Sequence, residues 1–170
     1  MSDEDALLAR QAAGGDSAAF TALVRRHERR VRAFLSRLTG GQGADDLAQE
    51  VFVKAWRLAG DWRGQGSYGG WLMRIAWTSY LSARRADARR HGRDQQDFEA
   101  RVETSGSPDA RIDAERALAG LDERERAAAL LCFGEGYSHG EAAKIMDLPL
   151  GTLKSIVARA RVKLVSALED

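Results

Sequence analysis

Apolar residues recur at intervals of three and four along most of the chain, which is the spacing of amphipathic helices. Asp16 or Ser17 can cap a long helix that the Gly40-Gly41 pair ends. The same pattern predicts further helices over residues 4–13, 44–59, 68–90, 112–121, 123–134, 138–146 and 151–168. No useful stretch alternates as a strand does, so the pattern predicts an all-α fold.

Residues 92–110 differ from the rest of the chain. They are polar, show little periodicity and include Gly106, Ser107 and Pro108. This composition is typical of a flexible linker. The sequence therefore predicts two small helical domains joined by a linker, with boundaries at 1–91, 92–111 and 112–170.

The second domain contains a predicted helix-turn-helix. Ser138 can cap the first helix, and Glu141 three residues later completes a capping box. Pro149 and Gly151 break the chain, and Thr152 can cap or start the second helix. A helix-turn-helix is typical of duplex DNA-binding domains, although an ordinary helical hairpin has the same pattern.

The second helix of this pair has two chemically distinct faces. The apolar face carries Leu153, Val157, Ala160 and Leu164. The opposite face carries Lys154, Ser155, Ala158, Arg159 and Val162, with Arg161 and Lys163 on the flanks. Basic side chains donate to phosphates and guanine edges, and small residues let a helix enter the major groove. The pattern therefore favours a recognition helix.

Charge is distributed unevenly along the chain. The 26 basic and 25 acidic residues give a net charge of +1, which by itself argues against a nucleic-acid partner. Residues 62–93, however, contain seven arginines and one acid, whereas residues 94–125 contain four bases and ten acids. The near-neutral total thus hides a basic segment, which suits either nucleic-acid binding or an ordinary solvated surface.

Several functional classes are disfavoured. Cys132 is the one cysteine, so no internal disulfide forms, which fits a reducing cytosol. The three histidines are far apart in sequence, and no metal-ligand cluster or nucleophile–base pair is recognisable. No apolar run reaches the ~18 residues of a membrane span, and the acidic start does not resemble a signal peptide. We therefore expect no catalytic residues, metal site, cofactor or membrane insertion.

Motifs in both halves occur in a recognisable order. The first half contains Gly15-Asp16-x-x-Ala19-Phe20-x-x-Leu23, Asp45-Asp46-Leu47-x-Gln49-Glu50-Val51-Phe52-x-x-x-Trp56, Trp62-Arg63-Gly64 and Trp71-Leu72-x-Arg74-Ile75-Ala76. The second half contains Leu118-x-x-Leu121, Gly136-x-Ser138-x-x-Glu141-x-Ala143, Gly151-Thr152-x-Lys154-Ser155 and Arg159-Ala160-Arg161. The chain thus resembles extracytoplasmic-function (ECF) sigma factors, in region 2 and region 4, over nearly its whole length except the linker.

This resemblance implies a sigma factor that binds core RNA polymerase and directs promoter-specific initiation. Region 2 of the family binds the clamp helices of the largest polymerase subunit, at positions that match Asp45, Asp46, Gln49 and Glu50. In a helix, the side that carries Asp46, Gln49, Glu50 and Val53 lies away from Leu47, Val51 and Leu58. The two aspartates can instead simply complement the helix dipole.

The family also captures the −10 promoter element as an opened single strand, and binds the −35 element as duplex. Stacking aromatic rings and phosphate-binding cations suit a single strand. The implied −10 residues are Arg63, Tyr68, Arg74, Trp77, Thr78, Arg84 and Arg85, with Tyr68 in the loop expected to hold a flipped base. The implied −35 residues are Thr152, Lys154, Ser155, Arg159 and Arg161. Trp71 is expected to be structural.

Five positions depart from the family pattern, and four of them lie within these surfaces. Trp77, Thr78 and Ser82 stand where the family often has a base, an asparagine and an aspartate, so the preferred −10 bases cannot be transferred. Ile156 replaces a common arginine beside Lys154-Ser155, which predicts one lost DNA contact. Asp122 replaces a common proline and is expected to change only a helix start.

The resemblance implies core RNA polymerase, through its clamp helices and flap, and promoter DNA as partners. It also implies an anti-sigma factor and a cytoplasmic location. Two other hypotheses remain open at this point. A stand-alone helix-turn-helix regulator would explain the second domain alone, and a diverged sigma-like interaction module would explain Thr78, Ser82 and Ile156.

Overall fold

The computed structural model describes residues 3–91 and 108–169, with side chains described over 4–90 and 114–169. Every regular element in these ranges is helical, which confirms the predicted all-α class. Among them, residues 3–35 and 43–91 form one compact unit, the N-terminal unit, and 36–42 with 108–169 form the C-terminal unit. Most of the predicted linker, residues 92–107, lies outside the described residues.

The first half of the chain contains four α-helices. They are α1 (Asp3–Ala13), α2 (Ser17–Thr39), α3 (Ala44–Arg57) and α4 (Tyr68–His91), with a 3₁₀ turn at Ala59–Asp61. Asp16 caps α2, because its Oδ1 accepts from the backbone N–H groups of Ala18 at 2.9 Å and Ala19 at 3.1 Å. After α2, Gly40 and Gly41 adopt φ angles of 62° and 87°, which explains why the helix ends there.

The core of the N-terminal unit forms where α2, α3 and α4 contribute their apolar faces. Its most deeply buried side chains include Leu23, Val31, Phe34, Val51 and Leu72. Helices α3 and α4 are also joined by a polar contact, since Lys54 Nζ donates to Oγ of the buried Ser79 at 3.0 Å. These contacts fix α3 and α4, whose outer faces carry most of the predicted region 2 contacts.

The end of α3 differs from the prediction. The helix was expected to reach residue 59 but ends at Arg57, and Leu58 leaves the helical geometry with ψ near 11°. Leu58, predicted to face the same way as Val51, is therefore exposed instead. The helical periodicity that placed it inward does not extend beyond the last helical residue.

The C-terminal unit contains α5 (Pro108–Ala119), α6 (Glu123–Ala129), α7 (His139–Met146) and α8 (Leu150–Glu169). A π-helical turn, Leu130–Gly134, continues α6. Helix α5 begins four residues before the predicted domain, because Pro108 is well suited to the first helical position. Residues 108–111, expected to be linker, are therefore helical.

Two polar groups shape the junction between α5 and α6. Asp122 caps α6, since its Oδ1 accepts from the Glu125 backbone N–H at 2.8 Å. Arg126 donates to the backbone carbonyls of Leu118 at 2.9 Å and Leu121 at 3.1 Å, which satisfies acceptors at the end of α5 and in the turn that follows it. The departure at Asp122 thus changes a helix start, as predicted, and it supplies the cap.

Candidate functional site

Helix α4 presents a series of arginines to solvent. Arg74, Arg84 and Arg85 are exposed along it, and Arg63 is exposed in the segment before it. Arg74, Thr78 and Arg85 share one side of α4, given their helical spacing. The Thr78 hydroxyl donates to the carbonyls of Arg74 and Ile75, each at 3.0 Å, although the residue is exposed. This surface can contact a polyanion along about three helical turns.

Two of the aromatic residues predicted to contact DNA, Tyr68 and Trp77, are buried in the structure. Tyr68 and Trp77 are each only 3% exposed. The Tyr68 ring centroid lies 5.6 Å from those of Trp62 and His27 and 5.3 Å from that of Trp71, while Trp77 stacks on Tyr80 at 5.7 Å. Enclosed rings of this kind have no face open to a base, because neighbouring side chains already occupy the stacking positions.

The rim of this aromatic cluster remains accessible. Trp62 and Trp71 pack against Tyr68 but are only half-buried. Gly64 and Gly66, in the loop between them, have φ angles of 76° and 82°, which only glycine adopts readily. Ser67 Oγ accepts from the Gly70 N–H at 3.0 Å and so helps to start α4. Accessible aromatic surface therefore lies at both ends of the glycine loop.

A buried histidine supports the cluster from the other side. His27 Nε2 lies 3.0 Å from Asp5 Oδ2, and Asp5 Oδ1 accepts from Arg26 at 2.9 Å. Burial lowers the pKa of His27, and the Asp5 carboxylate partly opposes that effect. Burial also raises the pKa of the Tyr68 phenol. This group ties α1 to α2 and packs against the Tyr68 ring.

Helix α3 exposes all four residues predicted to bind polymerase: Asp45, Asp46, Gln49 and Glu50. Asp45 pairs with Arg32 at 3.3 Å, and Glu50 pairs with Lys54 at 2.5 Å. The same outer side continues into Val53, which is 45% exposed, and Trp56, which is 38% exposed and rests on Phe20 with ring centroids 5.0 Å apart. An exposed apolar pair beside acids and an amide is the composition of a protein-binding surface.

The predicted helix-turn-helix is formed by α7 and α8. Ser138 and Glu141 make the predicted capping box, in which Ser138 Oγ accepts from the Glu141 N–H at 3.3 Å. Hydrogen bonds from Ser138 lower the pKa of Glu141. Asp147 ends α7 in the left-handed region with φ of 55°, so the chain turns there. Because α8 starts at Leu150, Thr152 lies inside its first turn and does not cap it.

Helix α8 has the two faces expected of a recognition helix. Leu153, Val157 and Ala160 are buried, and Leu164 is partly buried. Thr152, Lys154, Ser155, Arg159 and Arg161 are all exposed. Ile156 is buried, so the departure at this position replaces a common arginine with a core residue. The exposed side combines hydroxyls with positive charge, which suits contact with duplex DNA.

One acidic residue of this site was not predicted. Glu125 is 2% exposed, and its carboxylate contacts Arg159 at 3.5 Å and Lys163 at 2.6 Å. The Lys163 hydrogen bond is the largest cause of a lowered pKa for Glu125. The spacing Asp122-x-x-Glu125 suggests a capping box, but no local pattern indicates that α8 supplies its charge partners.

Other kinds of site find little support in the described residues. Over 3–91 and 108–169, no helix is both long and apolar enough to cross a bilayer. In the same ranges no group of three or more histidine, cysteine or acidic side chains is arranged to hold a metal ion.

Comparison with family models matches both halves of the chain. Residues 23–98 match the model of sigma-70 region 2, and residues 111–164 match that of sigma-70 region 4. The chain is 32% identical to the ECF RNA polymerase sigma-E factor of Escherichia coli (strain K12), over 92% of this chain and 90% of that protein. It is 33% identical to the ECF RNA polymerase sigma factor SigM of Mycobacterium tuberculosis (strain ATCC 25618 / H37Rv), over 98% and 85%.

Solved structures give the same result. The sigma factor RpoE, in complex with the anti-sigma factor NepR from Bartonella quintana, matches with a TM-score of 0.78 and 29% identity, over 88% of this chain and 96% of that one. CnrH, in complex with the cytosolic domain of CnrY, matches with a TM-score of 0.71 and 28% identity, over 98% and 97%. The matches cover the N-terminal and C-terminal units together, so a helix-turn-helix protein of another kind would not account for them.

Proposed function

The chain belongs to the ECF family of RNA polymerase sigma factors, which direct promoter-specific transcription initiation, and we propose that three of its surfaces carry separate parts of that function. Sigma factors are non-enzymatic initiation factors, so the polymerase supplies the chemistry. We propose likewise that this chain has no catalytic activity of its own and acts in the cytoplasm, where the polymerase and its promoters are.

The outer side of α3 is the proposed contact with the clamp helices of the polymerase. Asp45, Asp46, Gln49 and Glu50 are exposed there, and Val53 adds apolar surface next to them. Protein interfaces combine an apolar core with a polar rim, as this side of the helix does. The carboxylates offer acceptors to basic partner side chains.

The arginines of α4 and its preceding loop are the proposed contact with the opened −10 strand. Arg63, Arg74, Arg84 and Arg85 can each donate to phosphate, and Thr78 lies among them. Base stacking requires an accessible ring, so Trp62 and Trp71 at the glycine loop replace Tyr68 and Trp77 as candidates. Tyr68 then acts indirectly, by supporting both tryptophan rings.

Helix α8 is the proposed reader of the −35 element. Thr152, Lys154 and Ser155 lie in its first two turns, which is the part of a recognition helix that reaches base edges. Arg159 and Arg161 follow on the exposed side and can contact phosphate or guanine. The buried Leu153 and Val157 hold the opposite face against the rest of the C-terminal unit.

An anti-sigma factor is the proposed regulatory partner. Two similar structures, those of RpoE and CnrH, are of complexes, the first with the anti-sigma factor NepR and the second with the cytosolic domain of CnrY. A partner that covered α3 or α8 would compete directly with polymerase or promoter.

We also propose that the C-terminal unit contacts the polymerase flap.

The observation that carries these proposals is the combination of an exposed polar surface on α3 with an exposed basic recognition helix, in a chain with both sigma regions in order. The test is transcription by the purified chain with core polymerase on a promoter mapped from transcript starts after overexpression. Lys154→Ala should reduce initiation about tenfold. Arg124→Ala, which removes an exposed cation from α6, should not. Equal initiation by the Lys154→Ala variant and the unaltered protein would contradict the −35 assignment.

A further inference from the structure

Glu125 is a buried acid at the start of α6. Its backbone N–H donates to Asp122 Oδ1 at 2.8 Å, and its Oε2 accepts from the Asp122 N–H at 3.2 Å. A buried carboxylate is costly unless it is paired, and one backbone donor uses little of its acceptor capacity. The remaining partners come from α8.

Two cations one turn apart on α8 contact this carboxylate. Lys163 Nζ donates to Oε2 at 2.6 Å, and Arg159 Nε lies 3.5 Å from Oε1. Residues four apart share one side of a helix, so a single acid can engage both. The short contact identifies Lys163 as the main counter-charge, and Arg159 is held more loosely.

The looser contact leaves Arg159 able to bind a second acceptor. Its Nε meets Glu125, so the two Nη nitrogens of the guanidinium are not used by this contact. The side chain is 59% exposed and lies one turn after Ser155, on the surface proposed to read DNA. A guanidinium fork matches the two acceptors of a guanine edge or the oxygens of a phosphate.

We propose that Glu125 is a positioning residue for −35 recognition. Its carboxylate holds the Nε of Arg159, and Lys163 balances the negative charge of Glu125. The inference rests on the proposed role of α8 in reading the −35 element. A side chain restrained at one nitrogen before binding loses less conformational entropy when it meets DNA, so affinity for the correct sequence increases. The network therefore connects the buried start of α6 to the specificity of α8.

If Glu125 only stabilised the start of its helix, its loss should affect −35 recognition no more than the loss of another capping-box glutamate. The chain offers such a glutamate as a matched control. Glu141 occupies the same capping-box position in α7, where its Oε2 accepts from Ser138 N–H at 2.9 Å and Oγ–H at 2.7 Å. Those contacts lie within the first turn of α7. Glu141→Gln thus removes the same charge from the same kind of cap, away from the Arg159 contact.

The experiment measures DNA binding by the full chain assembled with core polymerase. One duplex carries the −35 element of a mapped promoter, and the other carries that element scrambled. Glu125→Gln should lower the ratio of the two affinities about tenfold, since a bidentate base contact discriminates on that scale. Glu141→Gln should leave the ratio unchanged. Equal ratios for the two variants would overturn the proposal.

A double-mutant cycle isolates the pair. If Glu125 acts through Arg159, Glu125→Gln should lower the ratio no further once Arg159→Ala is present. An equal loss in both backgrounds would overturn the proposal. Should Glu125→Gln fail to assemble, Arg159→Lys keeps the charge without the fork and must lower the ratio as Arg159→Ala does. A ratio equal to that of the unaltered protein would again overturn it.

The Lys154→Ala variant separates this inference from the function on which it rests. If Lys154→Ala leaves −35 binding unchanged, α8 is not the reader and both proposals are wrong. If Lys154→Ala weakens binding while Glu125→Gln does not change the ratio, only the positioning role is wrong.

Discussion

Tyr68, Trp77 and Glu125 have side chains of the kinds that often bind ligands, aromatic rings and a carboxylate, but all three are buried in the protein. For the two aromatic residues, burial removes the accessible ring face that stacking requires. For Glu125, burial makes the carboxylate depend on Asp122, Arg159 and Lys163 for its hydrogen bonds. At the residue scale, the exposed area of a side chain and its hydrogen-bond partners therefore determine which contacts it can make with DNA or protein.

The enclosed Tyr68 ring leads to a stability prediction. Tyr68→Ala should lower the free energy of unfolding of the N-terminal unit by about 3–5 kcal/mol, the usual loss for a buried aromatic ring. All four tryptophans lie between residues 56 and 77, so tryptophan fluorescence during denaturation reports this unit. Arg63→Ala, at an exposed position, should change it by less than about 0.5 kcal/mol. Equal stabilities would contradict a buried Tyr68.

His27 leads to a prediction about pH. Burial lowers its pKa below the ordinary value of 6.5, so the unfolded chain binds this proton more readily than the folded chain. The corresponding stability is present above about pH 6.5 and is lost as the pH falls below that value. In denaturation at several pH values, His27→Gln should flatten this dependence. Stability that rises on acidification would mean that pairing with Asp5 dominates.

At the element scale, side-chain caps determine where several helices start. Asp16, Asp122 and Ser138 each accept backbone hydrogen bonds at the start of a helix. In the C-terminal unit these caps define two short helices, α6 and α7, that lie before α8 in the chain. Short helices depend on caps and packing because their own propensity is insufficient.

The α6 cap is open to a direct test. Asp122→Ala removes the acceptor for the Glu125 N–H and should cost the C-terminal unit about 0.5–2 kcal/mol, whereas Asp122→Ser keeps an acceptor and should cost less. Far-ultraviolet circular dichroism detects helices of both units, and tryptophan fluorescence detects only the first. The loss should therefore appear in dichroism alone. A matching shift in fluorescence would show that the two units unfold together.

At the scale of the whole molecule, the proposed surfaces lie on different helices. The proposed polymerase contact is on α3, the proposed −10 contact is on α4 and the segment before it, and the proposed −35 contact is on α8. Each is an exposed side of a helix whose opposite side is buried. Substitutions on an exposed side usually change stability little, so binding functions can be removed one at a time.

This separation predicts two distinguishable defects. Gln49→Ala with Glu50→Gln should reduce binding to core polymerase, whereas Arg84→Ala with Arg85→Ala should leave assembly intact and reduce strand opening at the −10 element. Polymerase pull-down and permanganate reactivity of unpaired thymines measure the two steps. Glu28→Gln, at an exposed site on α2, is the matched control for a lost acid. If both double variants failed at the same step, the division between α3 and α4 would be wrong.

The sequence by itself determined the helical class, most helix limits and the family, because these depend on local spacing, caps and ordered motifs. The capping box of Ser138 and the apolar face of α8 follow from residues within one or two turns. Tertiary structure decided which aromatic rings are enclosed, that Leu58 is exposed, and that Glu125 contacts Arg159 and Lys163. Those outcomes depend on residues distant in sequence or on where a helix ends. The helical period identifies the apolar face of a helix, but it does not determine which side chains of other elements pack against that face.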